Sequence, residues 1–298
     1  MSGDPRQRLE RARVRANFQR AAADYDRVAV LQREVGARLL ERLDLLKIDP
    51  ENILDLGCGT GHALEALGRR YPRARLLGLD LAEAMLRQAR RKRRLRDRLR
   101  RRHGYLCADA CALPLAADSV DLVFSNLTLQ WLDAPAPAFA EVFRVLRPGG
   151  AFLFTSLGPD TLKELRASWS AADGFVHVSP FLDLHDLGDA LLRAGLADPV
   201  MDVERLTLTY ESVDALMRDL KTLGARNAAA GRPRGLTGKG RLARVRAAYE
   251  TYRDAQGRLP ASYEVNFGLA WMADPKPPPP PRDGVAVVSL ERLRRGRP

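Results

Sequence analysis

The stretch 52–61, N-I-L-D-L-G-C-G-T-G, constrains the fold more than any other part of the chain. Ile53, Leu54 and Leu56 give a short apolar run of the kind that forms a buried parallel strand, and Gly57, Gly59 and Gly61 end it abruptly. A helix is predicted to begin near His62. Strand, tight turn and helix in succession are the repeating unit of an open α/β sheet. Glycine suits the turn because the backbone must take positive φ there, and because a ligand can approach main chain that carries no Cβ. The helix N-terminus beyond it offers backbone N–H groups with no partner of their own. Asp80 closes the next apolar run, 74–79, about 25 residues after Asp55. A carboxylate at that place can accept hydrogen bonds from both hydroxyls of a ribose, so the two strand ends together make a nucleoside site.

The glycine spacing is G-x-G-x-G, not the G-x-G-x-x-G of dinucleotide sites, and an acidic residue, Asp55, precedes it inside the strand. That carboxylate would repel a pyrophosphate, whereas it suits a ligand with a cationic amino-acid end. The string D-L-G-C-G-T-G resembles motif I of the class I S-adenosyl-L-methionine-dependent methyltransferases. That resemblance implies S-adenosyl-L-methionine as cofactor and an α/β fold, a doubly wound, mostly parallel, seven-stranded Rossmann-like sheet. Asp55, Gly57, Cys58, Gly59, Gly61 and Asp80 are then cofactor-binding candidates. A purely structural glycine turn in another doubly wound fold is the alternative.

At 298 residues the chain has room for one large domain with an insertion. No apolar run approaches a membrane span, and residues 1–15 are polar and basic without a signal-peptide core, so a cytoplasmic protein is expected. Cys58, Cys107 and Cys111 form no disulfide framework, and Cys107 with Cys111 lacks further partners for a metal. Buried free thiols are the expectation.

An apolar repeat at three and four predicts helix over 9–47, within an N-terminal helical cap, 1–48. Inside it, N-F-Q-R-A-A-A-D-Y-D-R, 17–27, is similar to a segment that folds over the cofactor in many small-molecule methyltransferases. Tyr25 is therefore a candidate roof residue and is grouped with the catalytic candidates; packing at a helix cap is its plain alternative. The cofactor-binding core is expected over 49–210. Its third strand, 105–108, ends in Asp109-Ala110, where the resembling family sets an acidic residue against the adenine amino group. Its fourth, 120–124, ends in Ser125-Asn126, at the carboxyl edge where open α/β sheets bind ligands. Asp109, Ala110 and Asn126 complete the cofactor set. Trp131 is either core or a wall of the substrate cavity, and His177 in its loop reads as a structural hydrogen-bonder before a catalytic base.

Between a strand at 202–210 and a last one at 262–271 the chain inserts 211–260, two predicted helices around a basic, glycine-rich centre. An insertion of that length reads as a helical substrate lid. The last core strand lies in 261–273, and 274–298 is a proline-rich linker and basic tail expected to be disordered.

S-N-L-T-L-Q-W (125–131), G-P-D-T-L-K-E-L-R (158–166), H-D-L-G-D-A-L (185–191), L-K-T-L-G-A-R-N (220–227), R-G-L-T-G (234–238) and L-P-A-S-Y-E-V-N-F-G-L-A-W (259–271) together resemble the malonyl-[acyl-carrier protein] O-methyltransferases. The resemblance spans roughly 17–271. It implies methyl transfer to the free carboxylate of a malonyl thioester, carried on an acidic acyl carrier protein or on coenzyme A, at the start of pimeloyl synthesis for biotin. Such a carboxylate is already ionised at neutral pH and needs no general base. A lid cation would recognise it, and Arg226, ahead of Lys221 and Arg232, is the candidate.

The formal net charge of +12 fits an acidic partner, and the run R-R-K-R-R-L-R-D-R-L-R-R-R, 90–102, is either a solvated face or a docking surface for one. No aromatics interleave those arginines, and S-N-L-T stands where an N-P-P-Y type motif would follow the fourth strand, which disfavours nucleic acid. Two other readings stand beside this one. D-T-L-K-E-L-R and L-P-A-S-Y are also similar to complex I assembly factors that hydroxylate a protein arginine, and a non-catalytic module binding S-adenosyl-L-methionine is the third.

Overall fold

A computed structural model describes residues 4–92, 102–233, 235 and 237–273. Its strands are β1 (Asn52–Leu56), β2 (Arg75–Asp80), β3 (His103–Cys107), β4 (Val120–Ser125), β5 (Leu146–Leu157), β6 (Ala197–Tyr210) and β7 (Leu259–Trp271). They form one seven-stranded sheet in the order β3-β2-β1-β4-β5-β7-β6. Strands β1 to β5 pair in parallel, and β7 is antiparallel to both neighbours, β5 and β6. This is the expected doubly wound, mostly parallel arrangement. Strand β1 is buried at every residue after Asn52, as a strand covered on both faces must be, while the edge strand β6 alternates between exposed and half-buried positions.

The helices are α1 (Arg11–Ala21), α2 (Tyr25–Val28), α3 (Val30–Arg42), α4 (His62–Arg70), α5 (Glu83–Lys92), α6 (Ala136–Val145), α7 (Lys163–Ser170), α8 (Leu184–Arg193), α9 (Val213–Thr222) and α10 (Lys239–Glu250). Side chains alternate along β1, and the two faces feed two cores. Ile53 joins Val35 and Leu39 of α3 and Leu64 and Leu67 of α4; Leu54 and Leu56 join Phe139 and Val142 of α6 and Leu187 and Leu191 of α8. Each such buried leucine or phenylalanine contributes about 1.5–3 kcal/mol by leaving water.

Three expectations need correcting. The helix predicted over 9–47 is broken at 22–24 and at 29. The break lets Asp26 accept from Thr60 Oγ1 at 2.6 Å and pair with Lys92 Nζ at 2.5 Å, which brings the segment down onto the glycine turn. The last strand starts at Leu259 instead of 262, because Leu259, Pro260 and Ala261 pair with Tyr210, Thr209 and Leu208. Of the three thiols only Cys58 is buried; Cys107 is exposed and Cys111 intermediate.

Within the insertion, α10 packs against α7, buries Val245 and Tyr249, and donates from the Tyr249 hydroxyl to Pro260 O at 2.8 Å. Most of the basic run at 90–102, namely 93–101, and the tail 274–298 lie outside the described residues. Among the described residues no helix is long and apolar enough to cross a membrane.

Candidate active site

The sheet order reverses between β1 and β4, so the loops leaving their carboxyl ends diverge and open a crevice. Ser125 Oγ donates to Leu56 O at 2.9 Å and ties the two strand ends together. The turn after β1 is held by the end of β2: the N–H groups of Gly57 and Cys58 donate to Leu79 O at 2.7 and 2.9 Å. Gly59 N–H donates to Asp80 Oδ2 at 2.9 Å, and Ala82 N–H donates to Asp80 Oδ1 at 2.8 Å. Gly57, Gly59 and Gly61 take φ of +78°, +53° and +80°, where an L side chain is strained. Beyond that they differ. A Cβ on Gly59 would meet no protein atom within 4 Å, whereas one on Gly61 would lie 2.9 Å from Ala89 Cβ, where α4 packs on α5.

A cavity of about 680 Å³ lies over this turn. Gly57, Gly59, Asp80, Asp109, Ala110 and Asn126 line it, together with Tyr25 and Arg226. Asp55, Cys58 and Gly61 are not in the lining; Gly61 closely approaches Ala89 of α5, and the Cys58 thiol is buried against Gly78. Asp55 acts from behind the turn. It is 1% exposed, and its Oδ2 has no hydrogen-bond partner among the described residues. Burial, and then the charge of Asp80, pushes its carboxyl up to about 8. Burial also pushes Asp80 up to about 6, against the pull of the Ala82 and Gly59 N–H groups. A cation brought over the turn would relieve both carboxylates, and a ligand with a sulfonium and an ammonium group is such a cation. The residues present therefore fit S-adenosyl-L-methionine.

Tyr25 opens α2 and is partly buried; desolvation, then Asp80 and Asp26, raises its phenol further above its ordinary value. Asp109 accepts from Cys111 N–H at 2.9 Å and forms an ion pair with Arg11, the first residue of α1. Asn126 has little to offer a ligand from its amide: Nδ2 donates to Gln32 O at 2.8 Å, and Oδ1 accepts from Thr155 Oγ1 at 2.9 Å. It shapes the wall. The next residue, Leu127, sits at φ +48° with its N–H donating to Thr155 Oγ1, a strained conformation of the kind that costs about 1–3 kcal/mol. Trp131 is a wall of the cavity, edge-on to Phe18 with ring centroids 5.1 Å apart. His177 is stacked on Trp169 at 3.6 Å and hydrogen-bonded to Asp173 at 2.8 Å, a structural hydrogen-bonder as the sequence indicates.

Of the described residues of the 211–260 insertion, Leu220, Leu223, Ala225, Arg226 and Asn227 line the cavity. Arg226 is exposed and has no carboxylate partner among the described residues. Arg232, the third candidate for the substrate acid, is withdrawn: it pairs with Glu10 at 2.8 Å, donates to Ala229 O at 2.7 Å, and its side chain is 11% exposed. Lys221 is exposed and outside the lining. The N-terminal arm closes the same side, since Leu9 bridges Ala229, Glu10 N–H donates to Ala228 O and Ala230 N–H donates to Arg8 O, both at 2.9 Å.

Arg11, Gln32 and Gln130 also line the cavity, and the sequence did not single them out. Gln130 Nε2 donates to Leu127 O at 2.7 Å, which turns its Oε1 away from that carbonyl. This oxygen and Gln32 Oε1 are buried without a partner among the described residues. Gln130 stood inside S-N-L-T-L-Q-W and was findable there; Arg11 and Gln32 lie on helices whose facing periodicity leaves open.

Residues 54–154 match a family model described as a methyltransferase domain. Over nearly its whole length the chain is similar to curated proteins. It is 52% identical over 285 residues to the malonyl-[acyl-carrier protein] O-methyltransferase of Laribacter hongkongensis, covering 94% of this chain and 96% of that one. It is also 52% identical to the protein of the same name from Methylovorus sp., covering 95% of each. The chain belongs to the malonyl-[acyl-carrier protein] O-methyltransferase family. It is thus an S-adenosyl-L-methionine-dependent O-methyltransferase, and family membership takes the place of the hydroxylase and non-catalytic readings. Among solved structures, the YcgJ protein of Bacillus subtilis shares the fold, with a TM-score of 0.53 at 16% identity over 80% of this chain and 99% of that one.

Proposed function

We propose that the chain methylates the free carboxylate of malonyl-acyl-carrier protein, giving the ester that starts a pimeloyl chain for biotin. The observation that carries this reading is the charge pattern of one cavity. Two carboxylates, the buried Asp55 and the half-buried Asp80, lie at the glycine turn, and the insertion contributes Arg226, a cation with no carboxylate partner among the described residues.

When bound, S-adenosyl-L-methionine supplies an electrophilic methyl group on a sulfonium. The protein's part is positioning. Asp80 receives the ribose hydroxyls, Asp109 the adenine amino group, and Asp55 balances the positive charge. Arg226 takes the malonyl acid with two parallel N–H bonds, which a neutral acyl thioester cannot return. An acid with a pKa near 4 reaches the site ionised, so no side chain has to remove a proton. Tyr25 covers the site, and Val14, Phe18, Leu31 and Trp131 in the lining keep water out. Transfer joins an anion to a cation, so dry walls favour the neutral product over the separated charges.

Arg226→Ala is expected to raise KM for a malonyl thioester about 30-fold, the scale of a lost charged pair, while leaving the affinity for S-adenosylhomocysteine unchanged. Equal loss of both would refute the assignment. An acidic carrier also gives the positive surface a use. Exposed Arg13 and Arg20 of α1 and Arg91 of α5 are available to it, on helices that pack against each other.

A further inference from the structure

A second cavity, of about 320 Å³, abuts the first. His177, Val178 and Phe181 line both, so the two cavities meet at these side chains. Pro159, Trp169, Phe175, Val176 and Pro180 make its lining largely apolar, and Phe175 at its edge is a large hydrophobe left 50% exposed. Its charge comes from Arg166.

Arg166 is held unlike the other cations around it. Its Nη1 donates to Pro159 O at 2.8 Å and its Nη2 to Thr161 O at 3.0 Å, so the guanidinium is fixed by neutral carbonyls. Among the described residues it forms no ion pair. The neighbouring cations are answered: Lys163 and Arg205 by Asp160 at 4.0 and 3.9 Å, and Arg241 by Asp173 at 3.2 Å. Burial pushes the Arg166 pKa down, with the charge of Asp160 opposing. An apolar trough with one fixed cation held only by neutral carbonyls fits a long, mostly neutral ligand that carries one anionic group.

We infer that this groove seats the thioester arm of the carrier, a pantetheine chain with its phosphodiester at Arg166, and leads its malonyl end past His177, Val178 and Phe181 into the methyl-transfer cavity. The two anionic ends of the substrate then meet separate cations, phosphate at Arg166 and carboxylate at Arg226. This placement rests on the malonyl-thioester reading given above.

The test compares three methyl acceptors: malonyl-acyl-carrier protein, malonyl-coenzyme A, and the malonyl thioester of N-acetylcysteamine, which keeps the acid but lacks the phosphate and most of the arm. Two variants are used. Arg166→Gln removes the charge, and Ser170→Trp fills the groove from an exposed position that lines the second cavity and not the first. Each is expected to raise KM for the two phosphate-bearing acceptors about tenfold or more, to change it less than about twofold for the small thioester, and to leave S-adenosylhomocysteine affinity alone.

Equal losses on all three acceptors, or no loss from Ser170→Trp, would overturn the proposal. A loss confined to the carrier-bound acceptor would also overturn it, in favour of a contact with the carrier's own surface. If the wild-type protein methylates none of the three, the malonyl reading fails and the groove falls with it, an outcome visible before any variant is made.

Discussion

At one end of the cavity the candidate cofactor-binding residues of the lining hang from strand ends: Gly57 and Gly59 follow β1, Asp80 ends β2, Asp109 follows β3 and Asn126 follows β4. At the lid end Arg226 stands in the irregular segment between α9 and α10, where Asn17 Nδ2 donates to Arg226 O at 3.4 Å and the N-terminal arm bridges Ala229. The first region is positioned by the sheet, whose parallel register leaves little freedom. The second is positioned by a few polar contacts between segments far apart in sequence, and such regions open more readily. Substitutions at the strand ends should therefore act on cofactor affinity, and substitutions in the lid on substrate KM, with little crossing over.

The largest expected effect is at Asp80. Asp80→Ala removes the acceptor for the Gly59 and Ala82 N–H groups and for the ribose, and S-adenosylhomocysteine affinity measured calorimetrically should fall about 100-fold. A change of less than about threefold would mean that the strand end does not set affinity.

The glycines sharpen the contrast within a single turn. Gly59→Ala sets a methyl group into the cavity and is expected to cost about tenfold in cofactor affinity. Gly61→Ala drives a methyl group to 2.9 Å from Ala89 Cβ and is expected to act on stability, lowering Tm by about 4–10 °C, with a smaller change in affinity. The reverse pattern would exchange the roles given to the two positions.

pH probes the buried carboxyls. Asp55 and Asp80 hold their protons to about 8 and about 6 in the folded chain, well above the unfolded value near 4. Without cofactor, stability should accordingly fall as pH rises from about 4 toward 8, because the folded state resists the ionisation that the unfolded chain accepts. A bound cation favours the ionised forms, so cofactor affinity should rise between pH 6 and pH 8, by about tenfold, with protons released to the buffer on binding. Asp55→Asn should flatten the rise. An affinity indifferent to pH in both proteins would contradict the role given to Asp55.

The smallest expected effect lies in the lid. Glu10→Ala frees Arg232 and loosens the arm, which should raise substrate KM about two- to threefold and lower Tm by about 1–3 °C, leaving the cofactor constant untouched. A large cofactor effect from this pair would erase the distinction between the two regions.

How much could be read from the sequence follows the same division. The unit from β1 to α4 was legible because an apolar run and three glycines are local signals; Asp80 followed from the strand end beside it, and Asp109 from the family resemblance. The break in the N-terminal helix was not, since it depends on Asp26 meeting Thr60 and Lys92, which only the fold brings together. Arg232 stood behind Arg226 as a candidate in the sequence, and that Glu10 of the arm takes it up depends on the fold. α10 looked like part of a cover, yet it packs against α7, pairs with Asp214 of α9 through Arg246 and buries Val245 and Tyr249, positions that a weakly amphipathic pattern does not pick out. Asn126 was placed correctly at the cavity, but its amide is taken up by Gln32 and Thr155, and side-chain competition of that kind leaves no trace in spacing.

The central claim is that this cavity brings a malonyl carboxylate to the methyl group of S-adenosyl-L-methionine. The most direct measurement is incubation of the purified chain with methyl-labelled S-adenosyl-L-methionine and malonyl-acyl-carrier protein, followed by mild alkali. The expected result is label on the carrier-bound acyl group, released as methanol by base. Label absent from the carrier, or held there in a base-stable form, would contradict the claim.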